Sequence, residues 1–136
     1  MIIDTSALIA ILFREPRCDE LTDIILTEGG FMPAPVLIEY HRVAARVADE
    51  PDVDADLVID GIFRAGVRIL PFGEGEAREA VAANRLYGSG NLYGGKLNML
   101  DLMVYATAKT QQLPILFTGN DFPTTDAMIH PASRIG

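Results

Sequence analysis

This sequence of 136 residues has one cysteine, no tryptophan and no apolar run long enough to cross a membrane, which would take roughly 20 residues. The single cysteine, Cys18, cannot form a disulfide within the chain, which suits a reducing compartment. We expect no signal peptide, because Asp4 interrupts the apolar start and no basic segment precedes it. These absences argue against a secreted or membrane-spanning protein, and we expect a cytoplasmic one.

Positive charge is also scarce, since 11 Lys and Arg face 19 Asp and Glu for a net charge of −8. Stable nucleic-acid binders are usually basic, because their cations displace counterions from the phosphates. An acidic chain can still act on nucleic acid if metal ions neutralise part of its charge. The composition is otherwise that of an ordinary globular protein, and we expect residues 1–136 to form a single domain.

Short apolar segments alternate with longer amphipathic ones along the chain, and glycines and prolines separate them. This alternation predicts an α/β fold in which helices cover a parallel sheet of short strands. The expected strands are 1–3, 31–32, 67–70 and 115–117, and the expected helices are 6–13, 18–27, 35–47, 53–65, 74–87 and 98–111.

Four acidic residues lie where an apolar segment meets a polar one. Asp4 ends the first strand, Asp121 follows the last, and Glu39 and Asp101 lie on helices. A half-buried carboxylate is costly unless a positive charge faces it, and no matching Lys or Arg accompanies these acids. Ligands of open α/β sheets bind beyond the carboxyl ends of the strands, where the four acids can converge. One divalent cation held by all of them would offset their mutual repulsion.

Each acid alone also has a simpler interpretation. Asp4 can begin a helix, and Glu39 can pair with Arg42 or Arg46, which follow on the same helix. Asp101 can be a favourable charge in a first helical turn, and Asp121 an ordinary turn residue. Their joint occurrence in this order favours the metal site.

The acids belong to motifs that follow one another over nearly the whole chain. The motifs are Ile2-Ile-Asp-Thr-Ser-Ala-Leu8, the helix of Glu39, Leu97-Asn98 with Asp101 and Tyr105-Ala106, Leu116-Phe-Thr-Gly-Asn-Asp-Phe122, and Thr125-Asp126. In this order they resemble those of the PIN-domain ribonucleases, specifically the VapC toxins of bacterial toxin–antitoxin modules. The resemblance implies a PIN-like three-layer α/β/α fold with a short-stranded parallel sheet, and a single PIN domain over residues 1–136.

The resemblance also implies a metal-dependent endoribonuclease whose acidic quartet is Asp4, Glu39, Asp101 and Asp121. Oxygen ligands select Mg²⁺, for which Mn²⁺ can substitute. We expect Asp4, Asp101 and Asp121 to bind the cation and Glu39 to orient or deprotonate the attacking water. Such a cation makes water more acidic and stabilises the leaving oxygen of a phosphodiester.

The fourth acid stays open between three neighbouring candidates, Asn120, Asp121 and Asp126. We favour Asp121, with Asn120 and Asp126 as second-layer or water-mediated ligands. Leu100 occupies the position before the third acid where many relatives have glycine, and it can crowd the approach to the site. The supporting polar residues, suited to holding carboxylates or a substrate phosphate, are Thr5, Ser6, Asn98 and Thr118.

The partners implied by the resemblance are an RNA substrate, a small cognate antitoxin that covers the acidic cleft, and a second copy in a homodimer. The stretches Ala7–Phe13 and Cys18–Leu26 are candidate contact surfaces, and Gly88–Gly95 is expected to be a flexible loop near the site. The alternative is a catalytically weak binding module that acts through its partner. The sequence selects neither among tRNA, rRNA and mRNA nor between one metal ion and two.

Overall fold

A parallel sheet of four short strands lies at the centre of the computed structural model, which describes residues 1–133. The strand order is β3-β2-β1-β4, and Ile2 of the first strand is in register with Phe31 on one side and Ile115 on the other. Both residues of β1 are fully buried, as expected where helices cover both faces of a parallel sheet. The strands are β1 (Ile2–Ile3), β2 (Phe31–Pro33), β3 (Arg68–Leu70) and β4 (Ile115–Leu116).

Helices connect the strands, and together they form the predicted three-layer α/β/α arrangement. The predicted strands and helices are all present, and most of their ends differ from the expected ones by one or two residues. The third helix ends earlier than expected, at Ala44, and continues as a 3₁₀ turn over Ala45–Val47. In residues 1–133 the α-helices are α1 (Thr5–Leu12), α2 (Cys18–Glu28), α3 (Ala34–Ala44), α4 (Ala55–Arg64), α5 (Glu74–Tyr87) and α6 (Met99–Gln111).

One hydrophobic core runs through these layers. It includes most of α1, so the prediction that Ala7–Phe13 forms an exposed contact surface is wrong. This helix is apolar on all sides because α2, α3 and α4 pack around it. Within Cys18–Leu26, Leu21 and Ile25 are buried in the core, whereas Leu26 is exposed. None of the helices in the described part of the chain has the length and apolarity that a bilayer span requires.

The glycine-rich loop between α5 and α6 is held together by hydrogen bonds to one side chain, that of Asn91. The amide of Asn91 donates to the carbonyl oxygens of Asn84 and Arg85, and its oxygen accepts from the backbone N–H groups of Tyr93 and Gly95. A side chain at position 95 would have its Cβ 2.4 Å from the carbonyl oxygen of Tyr87, so this position requires glycine. The loop is therefore folded around Asn91, and its expected flexibility stays a prediction.

The last described segment covers the outer edge of β4. Ile129 forms a parallel bridge with Ile115, and Ser133 accepts a hydrogen bond from the backbone N–H of Phe117 at 2.9 Å. His130 is buried, and its Nε2 lies 3.0 Å from Glu28 at the end of α2. Pairing of this kind protects an edge strand from association with other chains.

Candidate active site

Asp4 lies at the point where β1 passes directly into α1. It is the N-cap of that helix, and its Oδ2 accepts hydrogen bonds from the Ser6 backbone N–H at 3.1 Å and from the Ser6 hydroxyl at 2.6 Å. A residue in this place has extended backbone, so its side chain folds back over the first helical turn. The side chain is thus held at the carboxyl end of the central strand, although Asp4 is only 7% exposed.

Ser6 also connects Asp4 to the turn that follows β4. Its hydroxyl donates to Asp4 and accepts from the backbone N–H of Thr118 at 3.0 Å. Thr118 belongs to the turn that follows β4 and leads to Asn120 and Asp121. In this structure the backbone of Thr118 contacts Ser6, and the supporting role expected of the Thr118 side chain stays a prediction.

Glu39 reaches the same edge of the sheet from α3. Its Oε2 accepts a hydrogen bond from the Thr5 hydroxyl at 3.1 Å, which places Glu39 beside the first turn of α1. The ion pairs found among residues 1–133 do not include one between Glu39 and the arginine one turn later, Arg42. The simpler interpretation of Glu39 as half of a surface ion pair is thus not supported.

Asp101 is fixed by a reciprocal capping arrangement at the start of α6. Its backbone N–H donates to the Asn98 side chain at 2.8 Å, and its Oδ2 accepts from the Asn98 backbone N–H at 3.1 Å. This capping box explains both residues locally, because it satisfies two N–H groups that the helix leaves unpaired. It also fixes the direction in which the Asp101 carboxylate points.

The electrostatics connect the four acids to one another. Burial raises the pKa of Asp4, with a smaller contribution from the charge of Glu39, against the opposing hydrogen bonds of Ser6. Burial and the nearby Asp101 raise the pKa of Glu39. The pKa of Asp101 rises to about 6 through burial and the charges of Asp4 and Asp121. Asp4, Glu39 and Asp101 therefore lie in partly desolvated surroundings, and each is repelled by at least one of the other acids.

No Lys or Arg among residues 1–133 forms an ion pair with Asp4, Glu39 or Asp101 that would offset this repulsion. In the part of the chain that the structure describes, the hydrogen bonds to Asp4, Glu39 and Asp101 come from hydroxyl and backbone N–H groups rather than from Lys or Arg. A group of carboxylates with neutral donors and no counter-charge is suited to a hard divalent cation. The donor set therefore fits Mg²⁺ or Mn²⁺.

The acids do not form a closed metal cage. Among residues 1–133, no three acidic, histidine or cysteine side chains are arranged to enclose a metal ion. Magnesium does not require such a cage, because it usually retains several waters and is bound by one or two carboxylates together with substrate phosphates. The open arrangement is thus compatible with a cation that is shared with a phosphate substrate.

The structure separates the candidates for the fourth acid. Asp121 is exposed, at the start of the 3₁₀ turn Phe122–Thr124, and its charge acts on Asp101. Asp126 is engaged elsewhere, since it accepts hydrogen bonds from the Tyr105 hydroxyl and, at 3.0 Å, from Lys109. The Tyr105 hydrogen bond is the main reason that the pKa of Asp126 is lowered. Asp121 is therefore brought towards the other acids, whereas Asp126 belongs to a separate hydrogen-bonded group.

The sequence did not indicate the contribution of Ser133 to this region. Ser133 and Ser6 hold two successive backbone N–H groups, those of Phe117 and Thr118, immediately after β4. A serine 16 residues beyond its partner has no local signal. Only the pairing of the last described segment with β4 shows that Ser133 helps to fix the turn that leads to Asp121.

The sequence model of the PIN-domain family matches residues 1–128. The chain is 33% identical over 135 residues to ribonuclease VapC42 of Mycobacterium tuberculosis. The aligned region covers 97% of this chain and 98% of that protein. It is 32% identical over 133 residues to ribonuclease VapC30 of the same organism, and that aligned region covers 93% of this chain and 95% of that protein.

Two solved structures share the fold. A toxin–antitoxin complex from Klebsiella pneumoniae has a TM-score of 0.64 at 18% identity, with 96% of each chain covered. Mycobacterium tuberculosis VapC20, described as a sarcin-ricin loop cleaving toxin, has a TM-score of 0.63 at 11% identity, with 93% and 95% covered. The chain belongs to the PIN-domain family and, within it, to the VapC type.

Proposed function

We propose that this protein is a metal-dependent endoribonuclease and that it acts as the toxin of a toxin–antitoxin module. The main support is the group of carboxylates at the carboxyl ends of the strands, held by neutral donors, in a chain whose relatives are ribonucleases. Residues 1–136 would form one such domain. The alternative of a catalytically weak binding module is less favoured because all four acids of the family quartet are retained.

Asp4, Asp101 and Asp121 would hold Mg²⁺, or Mn²⁺ in its place. When bound, a divalent cation stabilises the negative charge that develops on a phosphodiester. Glu39 uses Oε2 to accept from Thr5, and its other oxygen would accept a proton from the attacking water. Burial raises the pKa of Glu39, which makes its carboxylate a stronger base.

The supporting residues would act by holding the carboxylates. Ser6 orients Asp4, Thr5 orients Glu39, and Asn98 orients Asp101 through the capping box. Each donor is neutral, so it fixes a carboxylate without cancelling the charge that a cation needs. Such preorganisation lowers the cost of ordering the site when metal and RNA bind.

We also propose two protein partners, a cognate small antitoxin and a second copy of this chain. The resemblance to VapC toxins supports both, and the Klebsiella pneumoniae neighbour is described as a toxin–antitoxin complex. An antitoxin segment that covers the acidic edge would block access of RNA to Asp4 and Asp101. Of the contact surfaces expected from sequence, the large apolar side chains that stay exposed are Phe13, just after α1, and Leu26 of α2.

The test is cleavage of total RNA by the purified protein with Mg²⁺, with Mn²⁺ or with EDTA. Asp4→Asn is the matched variant, since an amide oxygen can still accept from Ser6 while the charge is removed. We expect discrete fragments that disappear with EDTA and in the folded variant. Cleavage that persists in EDTA would contradict the proposal, as would equal cleavage by the variant. Absence of wild-type cleavage in either metal, together with retained antitoxin binding, would favour the binding module.

A further inference from the structure

Asp121 differs from the other acids of the proposed quartet in how its side chain is held. The other three carboxylates each accept a hydrogen bond from a neutral donor. Asp121 is exposed, and although it precedes the 3₁₀ turn Phe122–Thr124 as its N-cap residue, its side chain accepts no capping hydrogen bond there. Its position therefore depends on the backbone of the turn that leads to it, residues 117–121.

That turn is held at its first two backbone N–H groups. The Phe117 N–H donates to the Ser133 hydroxyl at 2.9 Å, and the Thr118 N–H donates to the Ser6 hydroxyl at 3.0 Å. Ser6 belongs to α1, a helix that packs in the core. Ser133 instead lies in an edge segment, defined as residues 128–133, which pairs with the outer side of β4. Whatever holds the edge segment in place therefore also bears on the turn.

The edge segment is organised by the buried ring of His130. Its Nδ1 accepts from the Ala132 backbone N–H at 3.1 Å, and the His130 carbonyl oxygen accepts from the Ser133 backbone N–H at 2.8 Å. Because Nδ1 is an acceptor, the hydrogen of the neutral ring lies on Nε2, which donates to Glu28 at 3.0 Å. The ring thus connects the short turn that carries Ser133 to the last residue of α2.

Helix α2 contacts the edge segment from its other end as well. Arg17, the N-cap residue of α2, donates to the carbonyl oxygen of Ala132. Between Arg17 and Glu28, two residues of the helix, Leu21 and Ile25, are fully buried in the core. The helix is therefore a fixed support that holds the edge segment at two points.

We propose that α2, through Glu28 and His130, positions the turn of Asp121 for metal binding. Loss of the Glu28 hydrogen bond would release the His130 ring, and with it the Ser133 hydroxyl that holds the Phe117 N–H. Asp121 would then occupy its metal-binding position for a smaller fraction of the time, and the apparent affinity for a cation falls by that fraction. Glu28 and His130 are thus positioning residues that act from outside the site. This inference rests on the proposed function, in which Asp121 is a metal ligand.

The test measures the Mn²⁺ affinity of the full chain from the electron paramagnetic resonance signal of the free ion. Glu28→Ala removes the acceptor of the His130 ring, whereas Glu28→Gln retains an acceptor oxygen in its place. We expect Glu28→Ala to weaken Mn²⁺ binding by about fivefold or more, and we expect Glu28→Gln to keep most of the wild-type affinity. Asp23→Ala, at an exposed acid of α2, is the charge-matched control and should leave the affinity unchanged.

Two further measurements separate positioning from a merely structural role. In an Asp121→Asn background, Glu28→Ala should have no further effect on Mn²⁺ affinity, because the residue through which it acts is already changed. Without metal, hydrogen exchange at the Phe117 backbone N–H should be faster in Glu28→Ala than in the wild type. Glu28 is exposed at the C-terminal end of α2, where a negative charge opposes the helix dipole, so its removal should change global stability little.

Several outcomes would overturn the proposal. One is an unchanged Mn²⁺ affinity in Glu28→Ala, and another is unchanged hydrogen exchange at Phe117. Equal weakening by Glu28→Gln would show that charge matters rather than the hydrogen bond, and equal weakening in the Asp121→Asn background would show that the effect does not pass through Asp121. A wild-type protein that binds no Mn²⁺ would contradict the proposed metal site itself, whereas Mn²⁺ binding that is indifferent to Glu28→Ala contradicts only the positioning role of Glu28.

Discussion

Asp101→Asn should make this protein more stable when no divalent cation is present. The substitution keeps the shape of the side chain, and the amide oxygen can still accept from the Asn98 backbone N–H, so the capping box is retained. What is removed is a half-buried negative charge close to Asp4 and Asp121. Since no cation on the chain bonds to that charge in residues 1–133, its loss should relieve repulsion rather than break a favourable pair.

The magnitude follows from the pKa of Asp101, which burial and neighbouring charges raise from 3.8 to about 6. The folded state therefore holds this proton more tightly than the unfolded chain does. Stability from this group is fully present below about pH 4 and is lost as the pH rises through about 6. A shift of about two pH units corresponds to about 3 kcal/mol, which contact of the side chain with water reduces to about 1–2 kcal/mol.

The assay is thermal unfolding of the wild type and the variant in EDTA and in Mg²⁺, at about pH 4.5 and about pH 7.5. In EDTA near pH 7.5 we expect the variant to melt about 3–8 °C above the wild type, and the difference should narrow at the lower pH. Mg²⁺ should raise the melting temperature of the wild type near pH 7.5 and have little effect on the variant, because a ligand stabilises the state that binds it.

The matched control is Asn98→Ala, which removes the side-chain cap but leaves the charge of Asp101 and the backbone donor to it. It should lower the free energy of unfolding by about 1 kcal/mol at either pH and preserve the stabilisation by Mg²⁺. The reasoning would be refuted if Asp101→Asn destabilised the protein in EDTA near neutral pH, or if it left the response to Mg²⁺ intact.

Two further predictions concern the hydrogen bonds around the site. Tyr105→Phe removes the hydroxyl that bonds to Asp126, so urea unfolding should show a loss of about 1–2 kcal/mol, with RNA cleavage and Mg²⁺ affinity retained. A loss of Mg²⁺ affinity there would place Asp126 in the metal site after all. Ser133→Ala leaves the buried backbone N–H of Phe117 without its acceptor, at a cost of about 1–3 kcal/mol in the same assay. Unchanged stability would mean that water replaces the serine.

The alternation of apolar and amphipathic segments predicted the order of strands and helices correctly because each element has its own periodicity. The position of Asp4 could also be expected, since it directly follows the first strand and the carboxyl ends of parallel strands share one edge of the sheet. The burial of Ala7–Leu12 was not foreseen, although an all-round apolar helix is usually a buried one. Whether that segment is exposed depends on which other helices pack around it, and this packing belongs to the tertiary structure.

The hydrogen-bond partners of the acids were harder to predict from the sequence than the acids themselves. Asp126 belongs to the last motif and is acidic, so the sequence allows it as a ligand. Its hydrogen bond with Tyr105, one turn after Asp101 on α6, is seen only in the folded structure. The contribution of Ser133 depends likewise on the pairing of the last described segment with β4. Contacts between residues remote in sequence leave no periodicity to detect.

The chemistry of the donors explains why this edge of the sheet suits a cation. Thr5, Ser6 and the Asn98 backbone each fix one carboxylate through a neutral donor. A lysine or arginine in their place would stabilise the folded protein more, but it would also neutralise the charge locally. The fold accepts carboxylates whose pKa values are raised, and it thereby gives up stability that a divalent cation can restore. Neutral donors at all three carboxylates, rather than the number of acids, are the feature that most clearly separates a metal site from a cluster of surface acids.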